Sequence, residues 1–185
     1  MKKIVFLLIC VVLMSGCSVK KVDELSNAEK FAAEFSISED NPFEYATIDK
    51  VLEILDGGTG IIFFGNSDCE WCVESVEILN DALEYKNISE VYYYNPTGIQ
   101  NKNTAKYKEL IKLLDEYLEK DENNVSLLNL PDVYFVKNGK VLGHVNSNIT
   151  DDLDDESLEK SKIELKDEYL NLISEYVIKE CSGEC

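Results

Sequence analysis

The chain has 185 residues, 45% hydrophobic and 29% charged, the composition of one globular domain with some chain left over, not of a disordered or fibrous protein. Its 36 acidic residues outnumber 18 basic ones, every one of them Lys, for a formal charge of -18. That field opposes phosphate, and without Arg there is no planar fork to clamp it, so nucleic-acid binding is excluded and phosphoryl transfer disfavoured. His144 is the single histidine, which argues against a His-rich metal site and against a Ser-His-Asp hydrolase.

Lys2-Lys3 followed by the apolar run from Ile4 to Leu13 has the form of an export signal. The run breaks at Ser15-Gly16, too short for the about 20 apolar residues of a spanning helix. Leu13-Met14-Ser15-Gly16-Cys17 resembles a bacterial lipobox, with Met14 where Leu is commoner. The resemblance implies removal of residues 1–16, acylation of Cys17, and anchoring at the outer face of a cell membrane. The other possibility is an ordinary signal peptide with an incidental Cys. If residues 1–16 are removed and Cys17 is lipidated, two close pairs of thiols are left, Cys69/Cys72 and Cys181/Cys185. In an exported protein such pairs are redox-active or structural disulfides.

Residues 17–42 read as a tether and a short helix with Val22, Leu25, Ala28, Ala32 and Phe35 at helical spacing. Lys20 and Lys21 add a weak attraction to anionic lipid, or are simply solvated. A strand is expected at 43–46. Thr47 then caps a helix carrying Ile48, Val51, Leu52 and Leu55, which stops at Gly57-Gly58. Gly57-Gly58-Thr59-Gly60 follows a helix and precedes a strand, the reverse of a phosphate loop, so it is a turn. Ile61-Ile62-Phe63-Phe64 reads as a central strand buried on both faces. A helix from about 69 to 85 follows, with Cys72, Val76, Leu79 and Leu83 on one stripe, and then a strand at Val91-Tyr92-Tyr93-Tyr94.

Tyr107, Leu110, Ile111, Leu114, Tyr117 and Leu118 predict one amphipathic helix over 102–120. Two strands, 131–137 and 140–145, flank Asn138-Gly139, the strongest short hairpin signal. The acidic run 151–156 lacks the spacing and central Gly of a calcium loop and suits the start of a helix over 156–179, with Leu158, Leu165, Tyr169, Leu172 and Tyr176 as its core stripe. Asn87, Asn124 and Asn148 open triplets of the glycosylation type, read here as surface turns. The order βαβαβα, hairpin, α combines parallel pairing early with antiparallel pairing late.

Cys69-Glu70-Trp71-Cys72 falls at the junction between a strand and a helix. At a helix N-terminus, unpaired N–H groups and the helix dipole favour a thiolate, which makes Cys69 the attacking sulfur, while Cys72, one turn on, is placed to resolve a mixed disulfide. The alternatives are a structural disulfide or half of a zinc site. Leu130-Pro131 opens a strand about 60 residues later, where a thioredoxin fold sets a cis-proline beside the disulfide.

Phe63-Phe64, Asp68-Cys69-Glu70-Trp71-Cys72, Leu130-Pro131 and Lys137-Asn138-Gly139-Lys140 give the chain a resemblance to the thioredoxin superfamily over roughly residues 43 to 180. Tyr92-Tyr93-Tyr94-Asn95-Pro96 and the segment 131–137 carry a narrower likeness to thioredoxin-like lipoproteins of the bacteriocin-transport-accessory type. The resemblance implies an α/β, thioredoxin-like fold: a central mixed sheet flanked by helices, with a helical insertion before the cis-proline strand that covers the active face. It implies that Cys69 and Cys72 are a redox pair and that Trp71, Leu130 and Pro131 contact an extended substrate segment. Such a thiol-disulfide oxidoreductase needs no cofactor and no metal; its expected partners are protein thiols or disulfides, and the chain is expected to be a monomer. The other class of function is an accessory or binding protein for an exporter or for surface-protein assembly, with the cysteines inessential.

Two departures stand out. Phe63 occupies the place, six residues ahead of the first Cys, where thioredoxins bury an Asp, and Glu70-Trp71 replaces Gly-Pro. Glu70 sets a negative charge beside Cys69, so the direction of electron flow stays open. Cys181/Cys185 on the tail 181–185 are a structural disulfide, a pair that shuttles electrons to Cys69/Cys72, or zinc ligands. His144 is a residue of the sheet surface or one with a role near the active face.

Overall fold

The computed structural model describes residues 25–147 and 154–181, with side chains up to 177. Cys17, Cys185, the side chain of Cys181 and the first half of the acidic run at 151–156 lie outside what is described.

Helix α1 (Asn27–Phe35) starts at a capping box, in which the Ser26 hydroxyl accepts from the Glu29 amide and the Glu29 carboxylate accepts from the Ser26 amide. Strand β1 (Phe43–Tyr45) leads into α2 (Ile48–Leu55), capped by Thr47 as its sequence predicts. Strand β2 (Gly60–Phe64) is buried at every position and feeds α3 (Glu70–Tyr85), followed by β3 (Val91–Tyr94). Two helices, α4 (Thr97–Gln100) and α5 (Ala105–Leu114), and two short strands, β4 (Glu119–Lys120) and β5 (Ser126–Leu127), precede the hairpin β6 (Asp132–Lys137) and β7 (Lys140–Asn146). Helix α6 (Asp155–Cys181) closes the order.

The five-stranded sheet runs β1-β3-β2-β6-β7, parallel across β1, β3 and β2 and antiparallel from β2 onward. One face is covered by α1, α3 and α6 through Phe31, Phe35, Val76, Leu79, Leu83, Tyr169 and Ile173. The other is covered by α2 and α5 through Val51, Ile54, Leu55, Leu110 and Leu114. This is the expected thioredoxin-like fold: a mixed central sheet flanked by helices, with a helical insertion before the proline strand.

Two expectations need correction. Helix α1 belongs to the domain and not to the tether: Phe31 and Phe35 stack on each other and meet Phe43, Phe63 and Tyr93 in one aromatic cluster. The single helix predicted over 102–120 stops at Leu114. Acidic side chains at a helix C-terminus oppose its dipole, and Asp115 instead engages Ser126 and Lys120, while Asp121 accepts from the amides of Asn123 and Val125 at 2.8 Å each and closes the β4–β5 turn. Leu118 is buried all the same, so the apolar spacing reports core contact beyond the helix that carries it. Leu110 and Leu114 seat α5 in the same cluster as Val51, Ile54 and Leu55 of α2, against which Leu130 also packs, and the Asn129 side-chain amide donates to Glu119 of β4 at 3.0 Å.

Two further links hold the frame. Ser75 of α3 and Tyr169 of α6 share a buried 2.6 Å hydrogen bond, and Ser147, just past β7, donates to Ser75 at 3.1 Å. Lys162–Glu74 and Lys166–Asp81 pair α6 with α3 at the surface, each contributing about 0 to 1 kcal/mol.

Asn138 and Gly139 take positive φ, 50° and 70°, as a tight hairpin turn requires. The Gly139 amide donates to the Gly58 carbonyl at 2.7 Å, and a Cβ on Gly139 would fall 2.5 Å from the Gly57 nitrogen. Gly139→Ala therefore combines left-handed strain with a backbone clash. We expect it to lower unfolding free energy by about 1 to 3 kcal/mol in urea titration; a change below about 0.5 kcal/mol would show that the two turns do not depend on each other.

Candidate functional site

Strand β2 ends at Phe64, and the chain turns through residues 65–68 into α3. Asn66 organises this turn: its side-chain oxygen accepts from the Asp68 amide at 3.0 Å, its carbonyl accepts from the Cys69 amide at 3.0 Å, and its amide group donates to Thr97 at 3.3 Å. The result seats Cys69 as the N-cap of α3, where its sulfur accepts from the Cys72 amide at 3.2 Å. That amide, in the first turn of the helix, is shared with the Cys69 carbonyl at 3.0 Å.

Both cysteines are free thiols, Cys69 half-buried and Cys72 fully buried. Burial pushes the Cys72 thiol far up from its usual value, and its contact with Cys69 pushes the same way, while the Asn66 backbone opposes both. Cys72 is thus held protonated and shielded, and Cys69 is the sulfur that reaches solvent. This division of labour is what a nucleophile and a resolving thiol require.

The second wall of the site comes from the segment entering β6. The Leu130–Pro131 peptide bond is cis, and the Leu130 carbonyl lies 3.9 Å from the Cys69 sulfur. Leu130 and Trp71 are half-buried against the core, and Pro131 is buried. The five residues expected to form the site, Cys69, Trp71, Cys72, Leu130 and Pro131, therefore come from two junctions, one on each side of the β2–β6 pair. Cys181 and Cys185 give no structural comparison, since neither side chain is described.

Phe63 is 0% exposed and packs on Tyr93 with ring centroids 5.7 Å apart. The place of a buried acid is thus filled by an aromatic ring. A Cβ on Gly65 would lie 2.3 Å from that ring, so the absence of a side chain at 65 is what leaves room for a Phe at 63.

A buried acid does exist at the site, at a position the sequence pattern does not announce. Asp132, directly after Pro131, is 2% exposed and bonds to His144 Nδ1 at 2.9 Å. Burial raises the Asp132 pKa against the opposing pull of His144, and the bond to Asp132 raises that of His144. His144 is consequently no simple surface residue. It stacks on Tyr134 at 4.9 Å and 13°, and Tyr117 meets it edge-on at 5.9 Å.

The raised Cys72 thiol has a consequence for stability. In the unfolded chain it would ionise near the ordinary value of about 8.5, whereas the folded protein keeps the proton, so its contribution is complete below that pH and is lost as pH rises above it. Reduced protein should therefore lose stability relative to Cys72→Ala by up to about 1.4 kcal/mol per pH unit above pH 8.5. Urea titrations of both proteins at pH 7 and pH 10 measure this, and parallel losses in the two would contradict it.

No protein-family model matches the chain, and neither does any curated protein. Among solved structures it is similar to thioredoxin O2 from Arabidopsis thaliana in the oxidized state, with 11% identity, 68% of this chain and 96% of that chain covered, and a TM-score of 0.38.

Proposed function

We propose that the protein is a thiol-disulfide oxidoreductase whose redox pair is Cys69 and Cys72. The observation that carries this reading is the asymmetry of the two sulfurs: one at a helix N-terminus, half-exposed and facing a backbone carbonyl, the other buried one turn behind it with its proton held. In the reductive direction, the Cys69 sulfur attacks one sulfur of a substrate disulfide. A Cys69–substrate disulfide forms, the substrate S–S bond breaks, and the departing thiolate takes up a proton. Cys72 then gives up its proton and attacks Cys69, which forms the Cys69–Cys72 disulfide and releases the second substrate thiol; two electrons have passed to the substrate. The same steps reversed oxidise a dithiol. Trp71, Leu130 and Pro131 form the surface on which an extended protein segment would lie.

Removing the resolving thiol should stop the cycle halfway. Cys72→Ser is expected to accumulate mixed disulfides through Cys69 that reductant releases, visible on non-reducing gels and by mass spectrometry. Cys69→Ser should accumulate none. A Cys72→Ser protein that traps no partner in its host would count decisively against the proposal.

Phe63 supports a second reading. With an apolar ring where a proton acceptor for Cys72 would stand, the scaffold suits an accessory protein of the bacteriocin-transport type, aiding export or surface assembly without turnover. On that reading Cys69→Ala/Cys72→Ala retains function in the host, and on the first it does not.

Cys17 is proposed as the lipid anchor that holds the domain outside the cell membrane. Two or three acyl chains give stable attachment where one does not, and an acidic domain gains nothing from anionic lipid. Among the described residues no helix is long and apolar enough to cross a membrane. Cys17→Ser should release the protein to the medium or leave it unprocessed, with Cys69 and Cys72 reacting as before. A shortened, unacylated form that stays with the membrane would overturn the anchor.

A further inference from the structure

The end of β7 touches both halves of the thiol site. Asn146 lies opposite Asp132 in the β6–β7 pair. Its side-chain amide donates to the Asn129 carbonyl at 3.2 Å and to the Pro131 carbonyl at 3.0 Å. These two acceptors bracket Leu130, whose own carbonyl is the one turned to the Cys69 sulfur at 3.9 Å. The next residue, Ser147, reaches Ser75 on α3, three positions beyond Cys72, and through it Tyr169. The last residue of β7 and the one after it thus bind the proline segment and the cysteine helix.

We infer that Asn146 is a positioning residue of the thiol site, fixing the Leu130–Pro131 segment beside Cys69 so that an extended substrate strand docks with its disulfide on that sulfur. This rests on the oxidoreductase reading. The physical case is one of geometry: the Asn146 amide takes the carbonyls on either side of Leu130, and the Leu130 carbonyl between them faces the sulfur. Side-chain amides carry two donors, so one Asn can grip both carbonyls where Ser, Asp or Leu cannot. The Asp132–His144 bond secures the strand end next to it: a buried carboxylate left without its partner would be costly, so Asp132 holds the first residue of β6 against β7. Asn146 touches no reacting atom in this arrangement. It acts on the placement of the surface against which substrate is aligned, and alignment of this kind affects reactions of extended substrates far more than those of small reagents.

The test compares two probes on the reduced full chain with wild-type sequence, Asn146→Leu and Asn146→Asp, both of which remove the donors. The first probe is a ten-residue peptide carrying one cysteine as its mixed disulfide with glutathione; attack by Cys69 forms a Cys69–peptide disulfide and releases glutathione as the thiol. The second is iodoacetamide, which alkylates Cys69 without needing the proline segment. Positioning predicts that kcat/KM for the peptide falls at least tenfold in both variants, with KM raised, while the iodoacetamide rate at Cys69 stays within twofold and Cys72 remains shielded. A peptide rate within twofold of wild type in either variant overturns the inference alone. So does a parallel loss with both probes together with a lowered Tm, because that is general loosening of the fold. A wild-type chain that reacts with iodoacetamide but not with the peptide disulfide overturns the oxidoreductase reading and this inference with it.

Discussion

Antiparallel pairing of β2 with β6 is the constraint on which the site depends. The register sets Phe64, the last residue of β2, opposite Asp132, the first of β6. The chain leaving β2 and the chain entering β6 must then meet at the same end of the sheet, and this carries Cys69 to within 3.9 Å of a carbonyl 61 residues away. A one-residue slip would turn Val133 and Phe135 from the α3 face to the α2 face and separate the two junctions. The buried run Ile61 to Phe64 resists such a slip because both of its faces are committed to core.

Much of this frame is legible in the sequence because each signal is local. Thr47 before an apolar periodic stretch, an all-apolar strand at 61–64, and Asn-Gly between two alternating segments fix α2, β2 and the hairpin without knowledge of their neighbours. The paired cysteines and the proline are recognisable for the same reason, as short motifs at strand ends. What local pattern misses is decided by long-range contact. Phe31 commits α1 to the core only through Phe43, Phe63 and Tyr93, and no spacing within residues 18 to 40 reveals that. The break after Leu114 follows from acidic side chains finding partners in β5 and the β4–β5 turn, again at a distance in sequence.

The Asp132, His144 and Asn146 group is hidden by a single extra residue. A regular two-residue hairpin turn pairs Lys137 with Lys140 and Val136 with Val141, and continued unchanged it would set His144 opposite Val133, facing α3 and α6. The irregularity between Phe135 and Val136 leaves Leu142 over, so that His144 instead pairs with Tyr134 and Asn146 with Asp132. All four then share the face that carries Tyr117. A bulge of this kind re-aims side chains beside a site. It also brings His144 onto the face where Asp132 is buried.

The central claim is that Cys69 and Cys72 form one two-electron couple, and a redox titration tests it most directly. Protein equilibrated over a range of reduced-to-oxidised glutathione ratios, acid-quenched, alkylated and mapped by mass spectrometry should show the two cysteines converting together, as one Cys69–Cys72 disulfide with a single midpoint and a two-electron slope. Glutathione attached to Cys69 with Cys72 unreacted at every ratio, or no disulfide between the two under any condition, would contradict the account.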